Sequence, residues 1–147
     1  MAGMLIPAVA RADPTPPPAV AAAVPPEVVE IVTGGGWRDG AASGFYRTVT
    51  IEADTNGTER TLVFLQWVGR RTASGPVEVI ASRALAEFND KNHASATVVI
   101  ESDDDGNGRI EVSAPDEGDE PENAVTVIAT TPGHYRVARS ADSAAVK

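Results

Sequence analysis

A chain of 147 residues without a single cysteine is long enough for one core, but it has no disulfide, thiol chemistry or cysteine-based zinc site to draw on. Its 12 lysines and arginines against 21 acidic residues leave a net charge of −9, which repels nucleic acid and anionic lipid and removes nucleic acid from the expected partners. No apolar run approaches the roughly 18 residues that a membrane-crossing helix requires, so the chain is not expected to span a membrane that way.

The N-terminus carries a short apolar run, Met4-Leu5-Ile6-Pro7-Ala8-Val9, followed by Ala10-Arg11-Ala12 before Asp13-Pro14. Small residues at Ala10 and Ala12 suit a signal peptidase, so residues 1–12 read as a signal-peptide remnant and the protein as periplasmic or secreted. The run is short and no basic residue precedes it, which predicts a true start further upstream. A disordered alanine-rich terminus is the competing reading. Residues 13–26 hold six prolines; consecutive prolines favour polyproline II and enter neither helix nor sheet interior, so this segment reads as a disordered linker.

From Glu27 onward, strand follows strand. Val28–Thr33 opens the series, and Gly34-Gly35-Gly36-Trp37-Arg38-Asp39-Gly40 reads as a loop. Phe45, Arg47, Val49 and Ile51 then alternate with Tyr46, Thr48, Thr50 and Glu52, the period of a half-buried strand. Asn56-Gly57 suits a two-residue hairpin turn, since both residues tolerate positive φ. The return strand, Thr61–Val68, is apolar on both faces, which places it centrally, covered on both sides or at a sandwich core.

The segment 77–91 is ambiguous. Val77, Val79 and Ala81 alternate as in a strand, whereas Ala81, Leu85 and Phe88 fall at helical spacing. β-Branched residues lead the segment, so the expectation is a strand that loosens into a helical turn. A second hairpin joins Ala96–Glu101 to Arg109–Ser113 across Asp105-Gly106-Asn107-Gly108. A third joins Ala124–Ala129 to His134–Ala138, with Pro132-Gly133 as the pair a type II turn favours. The prediction is an all-β fold, an antiparallel β-sandwich or partly closed barrel of about seven to eight strands with one short helix near 81–91. It forms a single β domain over residues 27–139, and 140–147 is a disordered tail.

The sharpest chemical motif is Asp103-Asp104-Asp105-Gly106-Asn107-Gly108. Asp103, Asp105 and Asn107 fall where alternate oxygens of an EF-hand-type loop converge on calcium, with Gly108 at the turn glycine and Ile110 at the apolar position. The resemblance covers about eight residues. Ala114 stands where the bidentate glutamate belongs, and strands flank the loop in place of helices, so an acidic hairpin tip shaped by turn geometry explains the residues equally. A second acidic run follows at Asp116–Glu122. A meander sends successive connections to opposite ends of its strands, so the two acidic loops are expected about a strand length apart, roughly 17–20 Å.

In the glycine-rich stretch, Trp37, Arg38 and Asp39 are candidates for a ligand or partner loop. Against this, with only seven aromatic residues in the chain, the core has need of Trp37 as a plug. His93 and His134 read as exposed turn histidines. No G-x-S-x-G elbow or other catalytic constellation is present, so no enzyme activity is expected. Arg60, Arg70 and Arg71 surround the most apolar hairpin, where they would meet an acidic partner or cap strand ends. The expectation is a non-catalytic exported domain binding a protein or cell-envelope component through its loops or a sheet edge. No cofactor is expected on that reading; the alternative is a weak calcium-binding module at Asp103, Asp105 and Asn107.

Overall fold

The computed structural model describes residues 24–103, 105–114 and 124–138. The signal-peptide remnant, most of the proline-rich linker, Asp104, the acidic run 116–122 and the C-terminal tail lie outside the described residues. Two four-stranded antiparallel sheets make up the fold. The first contains β1 (Val28–Asp39), β2 (Ala42–Thr55), β3 (Thr58–Arg70) and β4 (Glu78–Ala84), paired in chain order. A single helical turn, α1 (Ala86–Asn89), leads away from it. The second contains β5 (Thr97–Ser102), β6 (Gly108–Ser113), β7 (Ala124–Ala129) and β8 (Tyr135–Val137), again in chain order.

Local turn chemistry accounts for each predicted hairpin. Asn56 and Gly57 have φ of 57° and 80°, as a two-residue hairpin requires, and the Asp54 carboxylate accepts the Gly57 N–H at 2.7 Å. Gly133 follows Pro132 with φ of 80°, and His134 N–H returns to the Thr131 carbonyl at 2.9 Å.

The two sheets pack face to face as a sandwich. The inward row Tyr46, Thr48, Thr50 of β2 stands opposite Trp67, Leu65 and Val63 of β3. From the second sheet, Val98, Ile110, Val112, Val127 and Ala129 complete one buried cluster with Val63, Leu65 and Trp67. The Tyr46 ring meets Trp67 edge-on, with centroids 6.2 Å apart. At one margin β1 approaches β5 so closely that a Cβ on Gly34 would sit 3.0 Å from the Ile100 carbonyl. At the other, Arg83 Nε donates to the Gly133 carbonyl at 2.9 Å and the Tyr135 hydroxyl donates to the Ala84 carbonyl at 3.2 Å. These margins are held by packing and side chains, and the two ladders remain separate sheets instead of a barrel.

Segment 77–91 does loosen from strand into helix: β4 ends at Ala84 and α1 begins at Ala86. The edge of β3 that β4 abandons is then taken over by side chains. Asn89 Oδ1 accepts the Val63 N–H at 2.8 Å and Asn89 Nδ2 donates to the Val63 carbonyl at 3.0 Å. Further along, the Thr61 N–H reaches the His93 carbonyl at 2.9 Å.

Two expectations are overturned. Residues 34–39 are part of β1, and only Gly40 and Ala41 turn; pairing with β2 overrides the low strand preference of glycine. His93 is buried, 2% exposed, and stacks on Phe88 at 4.2 Å between ring centroids, because the chain after α1 runs back against β3. The strand β3 is central and lines the sandwich core, as one of its two expected settings has it, while Leu62, Phe64 and Gln66 remain half-buried on its other face.

Candidate functional site: an end cleft and an apolar sheet face

The glycine run of β1 builds one end of the molecule. The register shifts between Gly34, opposite Tyr46, and Trp37, opposite Gly44. Simple alternation would send residues three apart to opposite faces. The extra residue, with Gly35 at φ of 60°, restores Trp37 to the inward face, the usual work of a β-bulge. There the indole lies over paired glycines: a Cβ on Gly69 would fall 2.8 Å from Trp37 Cζ2, and one on Gly44 would fall 1.9 Å from the Val68 carbonyl oxygen. Trp37 Nε1 donates to the Phe45 carbonyl at 3.1 Å. Trp37 is 5% exposed, so it plugs the end of the core.

Beside it, the Tyr46 hydroxyl donates to the carbonyl of Ala129 at 3.2 Å, and its ring rests on Gly108, where a Cβ would be 2.6 Å from Tyr46 Cε2. Burial pushes the Tyr46 phenol above its ordinary pKa. Together these elements frame an open cleft of about 830 Å³, lined among others by Trp37, Arg38, Phe45, Tyr46, Asp105 and Asn107.

The cleft therefore gathers residues from both stretches singled out in the sequence. Trp37 and Arg38 from β1 face Asp105 and Asn107 from the β5–β6 turn, which sequence spacing alone could not bring together. Asp39 is exposed and stands outside the lining. Asp103 is turned to its own loop. Its Oδ1 accepts the N–H of Asp105 at 3.0 Å and of Asn107 at 2.7 Å, and its Oδ2 accepts the Asn107 side-chain amide at 3.1 Å. This is the bonding of an Asx-type turn. Among the described residues, no group of three or more histidine or acidic side chains is placed to hold a metal ion. Tyr46, Phe45, Thr130 and Thr131 also line the cleft; no local motif marks them, since they meet only across the two sheets.

A second feature was legible in the sequence only as the two-sided apolarity of β3. On the outward face of the first sheet, Ile31, Val49, Phe64 and Ala84 form one row across the strands, and Phe45, Val68 and Val79 form another. Between them lie Thr33, Arg47, Gln66 and Ser82, with Arg47 Nε donating to Gln66 Oε1 at 2.8 Å. Ile31, Phe45 and Val79 are 46%, 37% and 44% exposed. Strand spacing gives this face dimensions of roughly 15 by 20 Å, the size of the largest apolar patch on an ordinary monomer, which is often functional. The outward face of the second sheet differs in kind, with rows Val99–Glu111–Thr126 and Glu101–Arg109–Ile128–Arg136.

Comparison with protein families, curated proteins and solved structures finds no match for this chain. Among the described residues no helix is long and apolar enough to cross a membrane.

Proposed function

We propose that this is a non-catalytic exported domain, periplasmic or secreted, that binds a protein or another cell-envelope component through the outward face of its first sheet. The observation that carries the reading is the contrast between the two outward faces: the first sets rows of apolar side chains, with Ile31, Phe45 and Val79 open to solvent, among arginines alone, whereas the second mixes acidic and basic side chains around Val99. Solvent-facing apolar side chains gain free energy when covered, about 25 cal/mol per Å² removed from water. The apolar run and Ala10-Arg11-Ala12 in residues 1–12, followed by a proline-rich segment, support export and a tether between cleavage site and domain.

Two measurements test this. Residues 1–26 fused to a reporter enzyme should deliver it outside the cytoplasm; retention in the cytoplasm contradicts export. In crosslinking from the envelope fraction, Ile31→Ser and Val49→Ser should lose the partner retained by the unaltered domain while keeping its melting temperature. Retention of that partner by both variants contradicts use of this face. The alternative reading is a weak calcium module at Asp103, Asp105 and Asn107. Calcium would have to displace the backbone and amide donors that Asp103 already holds. An unchanged melting temperature in millimolar calcium removes that alternative.

A further inference from the structure

The acidic residues of the first sheet all fall on one face. Along β1 to β4 the register puts Arg38, Ser43 and Arg70 in one outward row and Arg47 in another, with Phe45 and Val68 between them. Every acidic residue of these strands (Glu30, Asp39, Glu52, Asp54, Glu59 and Glu78) falls on the opposite register. A chain of net charge −9 thus presents an apolar face whose formal charges are all arginine. Arg38 and Arg70 are exposed; Arg70 also donates to the Gly75 carbonyl. Arg47 is half-buried, aligned by Gln66, and has no carboxylate partner among the described residues.

Resting on the binding face proposed above, we infer that its occupant is a partner protein whose contact surface alternates carboxylates with aliphatic or aromatic side chains. Covering the face removes water from Arg47, and a guanidinium taken out of water without a partner is costly. A carboxylate opposite Arg47 offsets that cost and suits the planar fork of the guanidinium. Outward rows along β2 recur every second residue, at roughly 6.5–7 Å. The complementary surface therefore carries an acid, an apolar group, an acid and an apolar group at that step. A second copy of this chain does not meet the requirement: its equivalent face offers arginine to arginine and no carboxylate by register, and both copies carry the same net negative charge.

The test uses a synthetic peptide of repeating Glu-Ser-Leu-Ser, whose glutamine counterpart keeps the shape and removes the charge. The intact domain should bind the glutamate peptide at least about tenfold more tightly than the glutamine one, a difference of about 1.4 kcal/mol. Arg47→Met should erase that preference with the melting temperature unchanged, and Arg38→Gln and Arg70→Gln should each reduce it, while added salt weakens the glutamate peptide selectively. If Ile31→Ser abolishes binding of both peptides but the intact domain binds the glutamate and glutamine peptides equally, the face binds and the acidic partner is wrong. If no outward variant changes binding of either peptide, the binding face itself is wrong. Concentration-dependent dimerisation lost in Phe45→Ser, or arginine-dependent binding to phosphatidylglycerol vesicles in place of the peptide, also overturns the inference.

Discussion

Thr48 and Thr50 stand in the interior of the sandwich, 0% and 2% exposed, and neither hydroxyl has a hydrogen-bond partner among the described residues. A buried hydroxyl without a partner costs about 1–3 kcal/mol relative to an apolar group of the same shape. Thr48→Val should therefore raise the unfolding free energy by about 1 kcal/mol, read as a higher urea midpoint at constant slope; a lower midpoint would show that the hydroxyl is satisfied. The glycines give a paired prediction at the same scale. Gly44→Ala drives a Cβ to 1.9 Å from the Val68 carbonyl oxygen, and backbone cannot step aside as a flexible side chain can. It should cost about 3 kcal/mol or more. Gly36→Ala meets nothing nearer than 3.6 Å and should stay within about 0.5 kcal/mol. Two glycines close in sequence and alike in composition thus differ in role because only one is paired against another glycine.

At the scale of elements, hairpin turns were readable because their chemistry is local. Asn56-Gly57 and Pro132-Gly133 adopt the backbone their residue types favour whatever surrounds them. The glycine-rich part of β1 was not readable, since its strand character comes from pairing with β2 and its bulge exists to aim Trp37 inward. Alternation in β2 was visible too, but not which set faces the core. The less apolar set, Tyr46, Thr48 and Thr50, turns inward because it shares a register with Trp67, Leu65 and Val63, and a one-residue slip would reverse the whole strand. Helix α1 holds its place through Asn89, which replaces the departed β4 on the edge of β3. Asn89→Ala leaves the Val63 N–H without an acceptor and should destabilise by about 1–3 kcal/mol. Hydrogen exchange at the Val63 amide should accelerate more than at Leu65, and equal protection would show that the clip is dispensable.

Across the whole molecule, both tyrosines of the chain serve as ties between the sheets, and both are held above their ordinary pKa. For Tyr46 the cause is burial; for Tyr135 it is burial first and then its hydrogen bond to Glu87, at 2.9 Å. A folded state that holds these protons more tightly than the unfolded one keeps that stability below pH about 10. It loses it as the pH rises through the elevated folded values. Alkaline titration should show no tyrosinate absorbance phase at or below the ordinary value, and ionisation should coincide with loss of the β signal in circular dichroism. An early phase would contradict the burial of Tyr46 or the hydrogen bond of Tyr135 to Glu87. Composition, turn chemistry and two-residue periodicity by themselves determined the all-β class, the three hairpins and the change from strand to helix after β4, because those signals lie within a few residues of one another. Tertiary structure alone decided that Trp37 and Asn107 share a cleft, that His93 is buried, and that the outward face of the first sheet carries arginine and no acid. Each depends on register between strands distant in sequence, where a single residue of offset decides whether a side chain meets the core or the solvent.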